Sequence, residues 1–188
     1  MYWWIKKISR LQRIAVGIFV STASFFACTA TNPIKQAHTE EKQFDIPAFF
    51  QQEIQHLSET KKEISKTVAK DSSAETKKIL IQDWEKELSA FSSIDLNKTA
   101  YIGHINKDSS DHLVKLTLDD PTADISAVHI RYDEHNNPSG ILIFKKINNL
   151  LYQTTESLSY QKDKGYKIEK QQDVWLLGSN HYTIEGKF

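Results

Sequence analysis

Thiols, glycine and proline are scarce in this chain of 188 residues, which holds one cysteine, one methionine, six glycines and four prolines. A single cysteine excludes an intrachain disulfide and any zinc site built on several thiolates. Six glycines, with no G-x-S-x-G elbow and no Gly-rich phosphate loop, leave little material for a serine-hydrolase turn or a nucleotide cradle. Charge of one sign is lacking too, since 24 Lys+Arg balance 24 Asp+Glu. No apolar run reaches the about 20 residues that a spanning helix needs, and no repeat of solenoid period is present.

What is there begins at the N-terminus. Lys6, Lys7, Arg10 and Arg13 precede the run Ile14 to Ala27, and no acid occurs before Glu40. A basic start, an apolar stretch of 14 positions with three Ser or Thr, and small residues at its exit are the layout of a secretory signal peptide. Ala27 directly precedes Cys28 in "SFFACTATN". This arrangement resembles the lipobox of bacterial lipoproteins, with Phe25 where Leu is usual. The resemblance implies that the Cys28 thiol is diacylated, that the peptide is cut before it, and that the new terminus is often acylated as well.

Removal of residues 1–27 as a lipoprotein signal peptide leaves 161 residues with 20 Lys+Arg against 24 Asp+Glu, a net charge near −4. A mildly acidic domain of this size disfavours the phosphate backbone, so no nucleic-acid partner is expected. Residues 28–43 read as a lipidated, flexible tether, because "TATNPIKQAHTEEKQ" holds one aliphatic residue larger than Ala and no aromatic. Residues 44–188 then read as a single α+β domain of ordinary size.

In that domain "FDIPAFFQQEIQHLSETKK" has helical spacing, with Asp45 as N-cap, Pro47 in the first turn, and Phe50, Ile54 and Leu57 on one face. "EISKTVAKDSSAETKKILIQ" reads as two short strands around the turn Asp71-Ser72-Ser73. "DWEKELSAFSSIDL" returns to helical spacing, capped by Asp83 and presenting Trp84, Leu88 and Phe91. After Asn97 the period becomes two. "AYIGHI", "HLVKLTL", "ISAVHIRY" and "GILIFKKI" alternate, separated by the turn-rich "NKDSSD", "DDPTAD" and "DEHNNPS". The pattern continues to the C-terminus, where Gly178-Ser179 is a two-residue hairpin candidate. Short strands without long helices between them argue for an antiparallel meander. The expected fold is two short amphipathic helices on a twisted antiparallel sheet of about eight or nine strands, with curling into a half-barrel as the variant to be tested.

The pairing of "IQDWEKELSAF" with "NNLLYQTTESLSYQKDKGYKIEKQQDVWLLGSNHYTIEGKF" resembles a family of uncharacterised outer-membrane lipoproteins from Bacteroidetes-type bacteria. The resemblance covers most of the mature domain and implies a lipoprotein address with no activity to carry onto any residue. In that lineage an acidic run just after the cysteine directs some lipoproteins to the cell surface. Thr29, Ala30 and Thr31 stand there instead, and no Asp follows Cys28, so the resemblance implies an outer-membrane protein facing the periplasm.

The usual chemical constellations are missing from the residues. His104, His112, His129 and His181 lie on or beside expected strands, with no metal-motif spacing among them, and His129 shares a polar face with Arg131. The acids of Asp119-Asp120 and Asp133-Glu134 fall in expected turns, where Asp serves local hydrogen bonding. Tyr101, Tyr132, Tyr152, Tyr160, Tyr166, Tyr182 and Trp175 fall in the sheet region, where cross-strand aromatic packing is their ordinary use and an aromatic-lined groove for glycan, peptide or lipid the rarer one. No catalytic, cofactor or metal residue is assigned; the one site residue is Cys28, for lipidation. The expectation is a non-enzymatic envelope lipoprotein, held in the membrane through acyl chains such as palmitate on Cys28 and acting as a binding or assembly module with an envelope protein or lipid partner. A lipid or lipoprotein carrier with a concave sheet is the alternative, and it requires large apolar side chains on a face that no helix covers. An envelope hydrolase is a third reading without a supporting motif.

Overall fold

The computed structural model describes residues 42–188. Helix α1 (Ile46–Thr60) leads into the hairpin β1 (Glu63–Lys70) and β2 (Ser73–Leu80). Two helical turns follow, α2 (Trp84–Glu87) and α3 (Ser89–Ser92), then a 3-10 turn (Thr99–Tyr101). The meander comprises β3 (Ile105–Ser110), β4 (Leu113–Leu118), β5 (Ile125–Tyr132), β6 (Pro138–Asn148), β7 (Tyr152–Gln161), β8 (Gly165–Val174) and β9 (Gly178–Lys187). All nine strands form one open antiparallel sheet in the order β2-β1-β9-β8-β7-β6-β5-β4-β3. The fold is therefore α+β, with short helices against a sheet whose two edges, β2 and β3, do not meet.

The helices start where the sequence signals them. Asp45 Oδ1 accepts the Ala48 N–H at 3.0 Å and Asp83 Oδ1 accepts the Lys86 N–H at 2.9 Å, each satisfying a donor that the first turn leaves unpaired. Ile46, Phe49 and Phe50 of α1 are buried, as are Trp84, Leu88 and Phe91. Gln43, assigned to the tether by sequence, donates its N–H to Asn97 Oδ1 at 2.8 Å and is thereby joined to the folded domain.

Strand register sorts the side chains into rows. One row on the helix-bearing face runs Val114, Ile130, Ile141, Tyr160, Tyr166, Gly186, Lys66; the next runs Leu116, Val128, Ile143, Leu158, Ile168, Ile184, Val68. The helices cover this face through aromatic rings, with Phe50 and Phe91 packing on Tyr160 at 5.1 and 6.2 Å and Phe91 on Tyr166 at 6.4 Å. Farther along, the row Lys145, Glu156, Lys170 is charged, with the buried Ile125 opposite Lys145. Glu40–Phe188 is one compact unit, and the whole of this core lies inside it.

Three expectations of local structure are corrected. "AYIGHI" is not a strand: Thr99–Tyr101 is a 3-10 turn, Gly103 has φ +78°, and pairing starts only at Ile105. The polar stretch "NKDSSD", expected as a turn, supplies β3 instead. It can do so because β3 is an edge strand exposed from Asn106 onward, so no face of it has to be apolar. The C-terminal hairpin forms, but it turns at Trp175-Leu176-Leu177 and not at Gly178-Ser179. Leu177 donates its N–H to the Val174 carbonyl at 3.0 Å, and Gly178, at φ +83°, serves as the first residue of β9 opposite Val174. Glycine's left-handed conformation was the correct signal for a turn, placed at the exit of the loop.

Candidate functional site

Cys28 lies outside the described residues, together with the signal segment and most of the tether. Inside the domain, two glutamates face inward where a helix meets the sheet. Glu53 of α1, 5% exposed, accepts the Tyr160 hydroxyl at 2.7 Å through Oε2 and holds Lys162 Nζ at 3.3 Å from Oε1. Glu87 of α2 accepts the Tyr166 hydroxyl and pairs with Lys66 Nζ at 2.7 Å. Tyr160 and Tyr166 face each other across the β7–β8 ladder, so both carboxylates descend on one row of the sheet.

Burial, reinforced by the carboxylate each hydroxyl donates to, pushes Tyr160 and Tyr166 far above the ordinary phenol range. Both stay neutral donors. Tyr101 is pushed up to about 12, by burial first and then by its 3.0 Å bond to Asp124. These groups are hydrogen-bonded in pairs and fix helices and loops to the sheet. A phenol locked in its neutral form is a poor nucleophile or base, so the geometry is that of a structural clamp. Sequence reading passed over it, although one signal existed: Glu53 falls three residues after Phe50 on the apolar side of α1, where an acid needs a partner.

The histidines and acid pairs singled out by sequence meet only two by two: His112 lines an open surface depression with Asp133 and Glu134, and the His104 carbonyl accepts the Asp119 N–H at 2.8 Å. His112 sits in the β3–β4 turn at φ +58°, His181 contacts Thr183 Oγ1 at 3.2 Å, and His104 donates its N–H to the Tyr101 carbonyl. His129 packs edge-on against Phe144 at 5.4 Å, and burial followed by the Lys115 charge lowers its pKa. Among the described residues no three His, Cys, Asp or Glu side chains are grouped to hold a metal. Asp120 accepts from the Thr122 hydroxyl and N–H at 2.7 and 2.8 Å, and Asp133 accepts the Asn137 N–H at 2.8 Å. These bonds hold both carboxyls below the usual range and account for the acids as turn residues.

The sheet face away from the helices carries the rows Lys115, His129, Leu142, Ser159, Lys167, Glu185 and Thr117, Ala127, Phe144, Ser157, Glu169, Thr183. Within these rows Leu142 and Phe144 are the large apolar members, and both are half-buried; Leu113, beside Arg131, and the exposed Leu80 on β2 share the face. Among the described residues the five most exposed large apolar side chains lie elsewhere, at the β6–β7 and β8–β9 turns: Leu150, Leu151, Trp175, Leu176 and Leu177. Sequence reading placed Trp175 in the sheet region, and it stands instead at a tip. Among the described residues no helix is long and apolar enough to cross a membrane.

Fold and geometry together define an α+β domain with an open nine-stranded antiparallel sheet and a clamped helical layer. No family model matches the chain, and neither a curated protein nor a solved structure matches it.

Proposed function

We propose that this protein is a lipid-anchored lipoprotein of the cell envelope, held in the outer membrane by acyl chains on Cys28, facing the periplasm, and acting as a non-enzymatic binding or assembly module. The observation that carries this reading is the position of the lone cysteine, directly after Ala27 at the exit of the apolar run and ahead of a tether poor in apolar residues. Two or three acyl chains anchor a protein stably where one holds it only marginally. The resemblance to uncharacterised Bacteroidetes-type lipoproteins supports the same address. A protein or lipid of the envelope is the partner this reading implies.

The carrier alternative asks for a broad apolar surface that no helix covers. The uncovered face, with Lys115, Lys167, Glu169 and Glu185 among its rows, gives that reading no support. Intact mass of the protein purified from membranes tests the anchor: a chain starting at Cys28 with added diacylglycerol is expected, and a terminus downstream of Cys28 refutes it. Native mass spectrometry of the fragment Thr29–Phe188 separates the two roles. A bare protein that captures a defined envelope partner supports the module, and reproducible co-purified lipid supports the carrier.

A further inference from the structure

The middle of the sheet is longer than its flanks. Strand β6 continues through Lys146–Asn148 after its pairing with β5 ends at Lys145, and β9 begins at Gly178 although its pairing with β1 begins only at Tyr182. Neighbouring chain still bonds Lys146, whose N–H donates to the Asp124 carbonyl, and His181, whose carbonyl accepts the Asp71 N–H, so at about 3.3 Å per residue the β6–β9 blade extends roughly 7–10 Å beyond those bonds. Its end consists of two adjacent turns joined by a bond from the Trp175 N–H to the Leu151 carbonyl at 3.2 Å.

The residues at this apex are not those the turns require. Asn149 Oδ1 accepts the N–H groups of Leu151 and Tyr152 at 2.9 and 3.0 Å, so the first turn's backbone is satisfied without its two leucines. Tight turns favour Gly, Asn and Asp. Here Leu150 is 97% exposed, Leu151 68%, Trp175 79%, and Leu176 and Leu177 82% each, far more than an isolated surface residue such as Leu80 at 41%. Both tips are uncharged, the nearest charges being Lys146 on one side and Asp173 on the other.

We infer that this apex inserts into the surface of a lipid bilayer. The extension of the apex suits the 5–10 Å to which interfacial apolar residues sink. Trp at such a boundary buries its ring while keeping a polar N–H in the wet layer. The chain beyond the domain makes a membrane reachable. Phe44 packs on Phe49 and Phe49 on Tyr160, at 5.9 and 6.0 Å, and Tyr160 lies about 26 Å along β7 from Tyr152. The fifteen residues Thr29 to Gln43 span up to about 50 Å when extended. The inference rests on the lipid anchor proposed above, for which the apex is a second point of attachment that sets the domain's orientation. With one charge of each sign behind the tips, attachment is driven by apolar burial and is insensitive to salt.

The test uses the fragment Thr29–Phe188, which contains the whole core and lacks Cys28, so its result is independent of lipidation. The fragment holds two tryptophans, buried Trp84 and exposed Trp175. With vesicles of phosphatidylethanolamine and phosphatidylglycerol at 7:3, brominated at shallow acyl positions, Trp175 fluorescence should be quenched and shifted to the blue. Trp175→Phe should remove the quenchable signal. Leu176→Ser with Leu177→Ser should weaken vesicle binding at least about tenfold without changing the melting temperature, because these side chains touch solvent. Absence of quenching in the wild type, or undiminished binding of the folded double variant, overturns the proposal. A dimer in sedimentation that the same variant dissolves also overturns it, by assigning the apex to a second copy. Loss or retention of lipid at Cys28 bears only on the anchor.

Discussion

The Tyr160 hydroxyl donates to Glu53 Oε2 at 2.7 Å across 107 residues of sequence, at a depth where Tyr160 is 2% and Glu53 5% exposed. It ties the first helix to the centre of the meander. Its counterpart, Tyr166 on Glu87, ties the second helical segment to the neighbouring strand. The sheet alone does not need either tyrosine; the helical layer does.

Removal of the Tyr160 hydroxyl should therefore be costly. Tyr160→Phe leaves a buried carboxylate with Lys162 as its one remaining charged partner and should lower stability by about 1–3 kcal/mol. Urea unfolding of the fragment Thr29–Phe188 measures it. Combining it with Glu53→Gln should cost less than the sum of the single changes, since both act on one bond.

Alkaline pH should weaken the fold through the same residues. In the unfolded chain a tyrosine loses its proton near pH 10, whereas Tyr160 and Tyr166 keep theirs in the folded state because burial and their carboxylate partners oppose a second negative charge. Above pH 10 the unfolded chain thus binds fewer protons, and stability falls by up to about 1.4 kcal/mol per pH unit for Tyr160. Below pH 10 this contribution is fully present. Tyrosinate absorbance should show these two groups ionising only as the domain unfolds, with Tyr101 titrating near 12 if the fold survives.

Gly186 and Gly165 should tolerate no side chain. A Cβ on Gly186 would overlap the Tyr166 ring, and one on Gly165, at φ +144°, would overlap the Gly186 carbonyl. Gly186→Ala must displace the ring that Glu87 holds, and Gly165→Ala must move backbone, which is the harder relaxation. Both should lower the melting temperature by several degrees, Gly165→Ala more. At Gly103 nothing lies within 4 Å, so Gly103→Ala carries only the strain of φ +78° and should cost about 1–2 kcal/mol.

Truncation of the aromatic cluster should set the upper end of the scale. Phe50 is fully buried and packs on Phe49, Phe91 and Tyr160, each at 5.1 Å, edge to face on Phe49 and Tyr160. Phe50→Ala should destabilise by about 3–5 kcal/mol in the same urea experiment. Val68→Ala, at a half-exposed strand position, should cost less than about 1 kcal/mol.

Much of this architecture could be read from residue patterns. Asp45 and Asp83 start their helices by hydrogen bonds that depend only on neighbours, and the alternation of Val128, Ile130 and Tyr132 is a local property of β5. Position within the sheet is not local. "NKDSSD" could be a strand because β3 is an edge, and nothing in its own residues says so. The bond between Glu53 and Tyr160 depends on the helix crossing a particular row, which requires the register of the intervening strands. The β8–β9 turn differs for another reason: turn chemistry points to Gly178-Ser179, while Leu176 and Leu177 occupy the turn against their intrinsic preference.

The central claim is that Cys28 is the first residue of the mature protein and carries lipid on its sulfur. Expressing the full-length chain and a Cys28→Ser variant in a bacterium fed a clickable palmitate analogue tests it most directly. The wild type should label and its terminus should map to Cys28, whereas Cys28→Ser should lose the label and accumulate as the uncut precursor. Equal labelling of the two proteins, or a wild-type terminus beyond Cys28, would contradict the account.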